Sequence, residues 1–360
     1  MKILHIEAGR FLYGGAQQVA WLTHGLSKRG VQNVLVCPED GAIRNAVAEG
    51  TIIHALPMRG DLDLGLIGRL AAVIRAESPD IVHIHSRRGA DIFGGLAARL
   101  VGVPCVLSRR VDNREPKWLV PLKYRLYQRV VVISEAIGRV LVECGVNRDR
   151  ISAVRSAVDA QSYDLPSDRE WFRREFSLPK GETTLGVVAQ LIPRKGHRFL
   201  LKVLPELLLK YPNLHVLIFG QGPLRSELSE EVARPEYCGR VQMVGFRDDL
   251  RRVMPNLYAV VHPAEREGLG VALLQASACG VPVIAAEAGG IPEIVLHEQN
   301  GLTFDVGDVE KLHQHIDVLL SDPSLRNSLG AQGRVLANSA FSIDAMVEGN
   351  LRVYERLVSH

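Results

Sequence analysis

The chain has 360 residues, enough for about two domains at roughly 150 residues each. Its 47% hydrophobic, 23% charged and 6% aromatic residues are the proportions of a soluble globular chain and exclude disorder, collagen and coiled coil. Forty-three Lys and Arg against forty Asp and Glu leave +3, too little to indicate nucleic acid, and five scattered cysteines without a C-x-x-C exclude a disulfide frame and a cysteine zinc site.

In chain order, the opening stretch 1–7 is apolar, ends on an acid and is too short for a signal-peptide core, so a cytoplasmic protein is expected. Short β-branched runs at 3–6, 33–37, 80–85, 105–107 and 130–133 alternate with helical patterns such as 16–29 and 66–77. The alternation breaks at about 160–182, around Pro166 and Pro179-Lys180-Gly181, and then resumes with strands expected at 185–189, 214–219, 241–244, 259–261 and 282–285. A last periodic helix covers 343–357. The uncharged run 268–286 has the length of a membrane span, but Gln275, Ser277 and Gly280-Val281-Pro282 divide it into a helix and a strand. Repeated strand–helix alternation implies parallel sheets covered on both faces, here two doubly wound α/β domains facing across a cleft.

Several motifs stand at expected carboxyl strand ends. Gly14-Gly15 opens a helix after the first strand, where backbone N–H groups can approach an anion, although an ordinary strand–helix turn explains it equally. Asp61-Leu62-Asp63 matches a metal-binding aspartate pair, but helix capping is the better account. His83 and His85 share one face of a strand; with no third ligand in view, a packed core histidine is expected for His83, and a polar contact or proton carrier for His85. In the second half, Arg194-Lys195-Gly196 sets two cations at a helix start, as a diphosphate requires. Gly220-Gln221-Gly222, Glu267-Gly268-Leu269-Gly270 and Glu287-Ala288-Gly289-Gly290 add further glycine loops.

The order of these motifs, ending in "EGLGVALLQASACGVPVIA", "GGIPEIV" and "NGLTF", resembles glycosyltransferase family 4, retaining nucleotide-sugar-dependent enzymes of GT-B fold. The resemblance implies an acceptor-binding Rossmann-like domain over 1–165, joined by a returning helix at about 341–360, and a donor-binding Rossmann-like domain over 166–340. It implies a UDP-sugar donor contacted by Gly14, Gly15, Gln190, Arg194, Lys195, Gly222, Glu267, Gly268, Leu269, Gly270, Gln275, Gly289 and Gly290. His85, Lys195 and Glu267 would serve the chemistry, with neither metal nor cofactor. The family's usual arginine is replaced by Gln190, and its second acid by Gln275. Between Arg87 and Arg129, ten cations face three acids; Arg87, Arg88, Arg109, Arg110, Lys117 and Lys123 are expected to meet an anionic glycan or glycolipid, such as a lipopolysaccharide core, or the inner-membrane surface. A sugar-nucleotide epimerase of the same fold and a non-catalytic sugar-nucleotide or membrane-surface binding protein stay open beside this reading.

Overall fold

The computed structural model describes every residue except Tyr13, Arg88, Lys117 and His360. The chain divides into two compact units, Met1–Ala157 with Ile343–His360, and Val158–Ser342. The first boundary falls at 157/158, where the sequence suggested 165/166. The reason is local: Val158 N–H donates to the Phe341 carbonyl at 2.9 Å, and the turn Ala160–Tyr163 packs against the helix Val271–Ala278, so 158–165 is built into the second unit.

The first unit holds a seven-stranded parallel sheet of β1 (Lys2–Ile6), β2 (Gln32–Pro38), β3 (Ile52–Leu56), β4 (Ile81–Ile84), β5 (Cys105–Arg109), β6 (Arg129–Val132) and β7 (Ile151–Ala153), in the order β3-β2-β1-β4-β5-β6-β7. Its central strands are buried and largely apolar, because helices cover both faces, with His5 and His83 as polar insertions. On one face, Leu22 and Leu26 of the helix Gly14–Ser27 pack with Met346, Val347, Val353 and Tyr354 of the helix Ile343–Val358. The last helix of the chain therefore completes the core of the first unit.

The second unit repeats the plan with six parallel strands: β8 (Thr183–Val188), β9 (Leu214–Phe219), β10 (Val241–Gly245), β11 (Ala259–His262), β12 (Val283–Ala286) and β13 (Gly301–Phe304), ordered β10-β9-β8-β11-β12-β13. The uncharged run 268–286 becomes the helix Val271–Ala278, a turn at Gly280, and β12. Among the described residues no helix is long and apolar enough to cross a membrane. In both sheets the strand order reverses once, between β1 and β4 and between β8 and β11. Ligands of doubly wound sheets bind beyond the carboxyl ends of the strands at that point.

Candidate functional site

At the reversal in the second unit, β8 leads through Ala189-Gln190-Leu191 to the tight turn Pro193–Lys195, while β11 ends on His262. Both elements deliver side chains to one carboxylate. Lys195 Nζ donates to Glu267 Oε2 at 2.5 Å and His262 Nε2 donates to the same oxygen at 2.9 Å; Gly268 N–H donates to Oε1 at 3.1 Å. Burial alone pushes the Glu267 carboxyl up, but the His262 hydrogen bond and the Lys195 charge outweigh it and hold the group at about 2. His197, the first residue of the helix His197–Lys210, is buried beside them, and neither ring nitrogen finds a partner among the described residues. Burial, then the charges of His262 and Lys195, lowers its pKa to about 4 and keeps it neutral.

The two loops carrying these groups and the Glu287–Gly290 loop interlock at glycines. Gly196 has φ +68°, and a Cβ there would lie 1.8 Å from the Pro263 carbonyl oxygen; Gly289 has φ +57°, and its Cβ would lie 1.9 Å from the Glu267 carbonyl oxygen. Glu265 N–H donates to the Arg194 carbonyl at 2.8 Å. Lys195 is thus held from both sides of the reversal, its ammonium on a carboxylate that an incoming anionic oxygen could replace.

Other residues of the expected donor set have different surroundings. Gln190 and Arg194 are exposed, and Leu269 is buried, with only its backbone to offer. Gly222 packs on the backbone of Leu191, and Gly290 N–H is taken up by the Glu267 carbonyl at 3.1 Å, which removes it as a phosphate donor. Gln275 turns its side chain to Tyr163, whose hydroxyl is raised to about 12 mainly by burial.

At the reversal in the first unit, a cavity of about 320 Å³ is bordered by Glu7, Gly15, His85, Ser86, Arg87 and Arg110, among others. Gly15 lies close to the Arg110 side chain, whereas nothing stands within 4 Å of a Cβ on Gly14. His85, directly after β4, is buried beside His83 and a third histidine, His5. Sequence reasoning found no third ligand for the His83–His85 pair. The parallel register of β1 and β4 supplies it, because His5 lies opposite His83. Among the described residues this is the one group of three whose ligand atoms lie within 4.8 Å of one another. Five of its six ring nitrogens are already hydrogen-bonded: His5 to His85 and Asn33, His83 to Tyr354 and Ser108. That makes it a hydrogen-bonded core first and a metal cage second.

Burial lowers the pKa of all three histidines, His5 to about 4 and His83 and His85 well below the usual imidazole value. Below the unfolded value near 6.5 the unfolded chain takes up protons that the folded unit refuses, so stability falls as the pH drops from 6.5 toward 4. The expected slope is about 1.4 kcal/mol per histidine per pH unit. Denaturant titrations of the wild type and of His5→Gln at pH 7 and pH 5 measure it, and equal pH dependence in the two would remove His5 from the account.

The expected basic face needs correction. Lys123 is buried, its ammonium 2.6 Å from both Asp91 and Glu115; Arg109 is buried and binds the Asn113 carbonyl and Glu115. Neither can meet a membrane. Tyr124 and Tyr127 belong to the core, whereas Trp118 and Leu122 are 73% and 61% exposed. Arg88 and Lys117 lie outside the described residues. Asp63 also departs from expectation: it accepts from Arg59 N–H and Arg69 at 3.0 and 2.6 Å, and no side chain caps the helix Gly65–Glu77. His262, His197, His5 and Asn33 escaped sequence reasoning; only His262 left a signal, as a polar residue at a strand end five places before Glu267.

Residues 13–162 match the family model described as Glycosyltransferase Family 4, and residues 168–336 match that of Glycosyl transferases group 1. The chain is 30% identical to D-inositol 3-phosphate glycosyltransferase of Mycobacterium sp. (strain KMS), over 76% of this chain and 70% of that one. It is 24% identical to the lipopolysaccharide core biosynthesis glycosyltransferase LpsE of Rhizobium meliloti (strain 1021), over 98% of both. It is 30% identical to the sulfoquinovosyl transferase SQD2 of Arabidopsis thaliana over 76% of its own length, but spans only 56% of that protein. The solved structure of HepE from Anabaena with UDP and glucose shares the fold, with a TM-score of 0.82, 21% identity and full coverage of both chains. With both halves matched by glycosyltransferase models and the same sheet order in each unit, the chain belongs to the glycosyltransferases of family 4 type and GT-B fold.

Proposed function

We propose that this protein transfers a sugar, with retention at the anomeric carbon, from a nucleoside diphosphate donor, most simply a UDP-sugar, to an anionic glycan or glycolipid. The observation that carries the proposal is the Lys195–Glu267–His262 cluster at the carboxyl ends of β8 and β11. A buried ammonium beside a helix start suits the charge that builds on a leaving diphosphate, with no metal required. Glu267, freed of Lys195, would accept donor sugar hydroxyls. In this chemistry the departing phosphate oxygen takes the proton of the attacking acceptor hydroxyl, and His85 orients that hydroxyl. Arg194 stands near enough in sequence to serve in place of the cation missing at Gln190. The UDP bound by HepE supports the choice of nucleotide, and the name of LpsE supports a lipopolysaccharide acceptor.

The test is release of nucleoside diphosphate from a panel of UDP-, GDP- and ADP-sugars, with and without lipopolysaccharide core acceptors, together with the anomeric configuration of the product. Release that depends on acceptor supports transfer; an epimerised donor, or no turnover of any donor, overturns it. Chelation should leave the rate unchanged.

The helix Ala90–Val101 presents Leu96, Arg99 and Leu100 to solvent, and Trp118, Leu122 and Arg125 are exposed as well. Apolar side chains among cations suit the anionic face of a membrane. The protein is accordingly expected to sediment with anionic liposomes several times better than with neutral ones, and Trp118→Ser should remove most of the difference. Equal binding to both would exclude a peripheral site.

Gln275 offers a second check. If it holds a ribose hydroxyl, Gln275→Ala raises the donor KM roughly fivefold, about 1 kcal/mol, with kcat unchanged. An unchanged KM would leave packing beside Tyr163 as its whole role.

A further inference from the structure

Asn33, at the start of β2, is buried with its amide nitrogen 3.2 Å from the Val31 carbonyl, 3.3 Å from the Thr23 carbonyl and 2.9 Å from Ser27 Oγ. Carbonyl oxygens only accept, so Nδ2 must face them and Oδ1 must face away, toward His5 Nε2 at 3.1 Å. An amide oxygen also only accepts, so His5 Nε2 carries the proton. A neutral imidazole has one N–H, which leaves His5 Nδ1 with a lone pair 3.0 Å from His85 Nε2. His85 Nε2 must therefore donate, and the lone pair of His85 is left on Nδ1. Nothing among the described residues donates to that nitrogen, which is buried on a residue bordering the cavity of the first unit.

We infer that Asn33 and His5 are positioning residues that lock His85 as a pure hydrogen-bond acceptor, so that the substrate group it meets must be a hydroxyl and not an anionic oxygen. The inference rests on the reading of the first unit as a sugar-handling site. Burial supports it by keeping His5 and His85 neutral. A buried acceptor with no donor is unfavourable, and a hydroxyl that fills the place removes the deficit, whereas an ionised phosphate or carboxylate has no hydrogen to give. Arg87 and Arg110, which border the same cavity, are the groups suited to an anion. The cavity thus carries opposite hydrogen-bonding demands, one satisfied by a sugar hydroxyl and one by an anionic substituent.

Histidine-selective ¹⁵N labelling of the full chain tests the relay without any substrate. A long-range ¹H–¹⁵N spectrum at pH 7, with the His85 signals assigned by their loss in His85→Gln, should show a protonated Nε2 and a bare Nδ1. A proton on Nδ1, alone or with Nε2, would overturn the inference. Asn33→Asp keeps an acceptor at His5 Nε2 and adds a charge that draws a second proton onto His5 Nδ1. His85 must then accept at Nε2, and its tautomer inverts.

Kinetics read the consequence. One monodeoxy analogue of the accepted substrates should lose on the order of a hundredfold in kcat/KM against the wild type, and this discrimination should fall toward unity in Asn33→Asp. UDP affinity should be unchanged in that variant. Inverted tautomer with undiminished discrimination would refute the assignment of hydroxyl selectivity to His85. Should no donor be turned over, the functional reading fails, while the spectrum still decides the relay; should Asn33→Asp not fold, the wild-type spectrum decides it alone.

Discussion

Lys195→Ala is expected to lower kcat/KM several hundredfold, a loss of about 3–4 kcal/mol of transition-state stabilisation. In the resting protein the ammonium is neutralised by Glu267 at 2.5 Å, so it contributes little to holding substrate at that point. Its value rises as charge accumulates on the leaving diphosphate, which is why kcat should fall more than KM rises. The variant should also unfold more easily, because a largely buried carboxylate loses one of its partners and keeps, among the described residues, His262 and Gly268. The double variant Lys195→Met/Glu267→Gln separates the two effects: with neither charge left, stability should recover while activity stays low. Diphosphate release under saturating donor and thermal melting are the measurements. A loss of activity below tenfold would mean that the leaving group is held elsewhere.

Gly196→Ala should be comparably damaging through the backbone alone. The left-handed conformation costs an alanine about 1–2 kcal/mol, and the new Cβ, 1.8 Å from the Pro263 carbonyl oxygen, can fit only if the Lys195 and His262 loops part. The clash is with main chain, so no side chain can swing away to relieve it. We expect a destabilisation of roughly 3 kcal/mol or more, lowering the melting temperature by roughly 6–12 °C, with activity falling as the Lys195 loop is displaced from the end of β11. Differential scanning calorimetry checks the first effect and the release assay the second. A shift below about 2 °C would show that the two loops are not locked together.

The sheet plan of both units was legible because buried parallel strands leave dense β-branched runs, as in Val130-Val131-Val132 and Val283-Ile284. Strands that lack this signature were passed over: β3, half exposed at the sheet edge; β7, three residues long; and β13, read only as the motif Asn-Gly-Leu-Thr-Phe. Lys195 and Glu267 were identifiable from their loops, but their ion pair spans 72 positions and depends on β8 and β11 lying side by side. The Asn33–His5–His85 relay was invisible for the same reason, since its members lie on β2, on β1 and directly after β4, and only the sheet order makes them neighbours. The basic stretch misled because a count of local charge carries no information on burial. Asp91, 32 residues before Lys123 in sequence, neutralises it inside the first unit.

The helix Ile343–Val358 belongs to the core of the first unit although the whole second unit precedes it in the chain. Synthesis runs from the amino end, so the ribosome releases all of 158–342 before the first unit can close. The contiguous second unit can reach its native state during translation. The first must wait, with Leu22, Leu26 and the His83 ring uncovered until Met346, Val347 and Tyr354 emerge. For that interval the nascent chain displays a greasy strip that chaperones could recognise, and the unit made first is the one finished last.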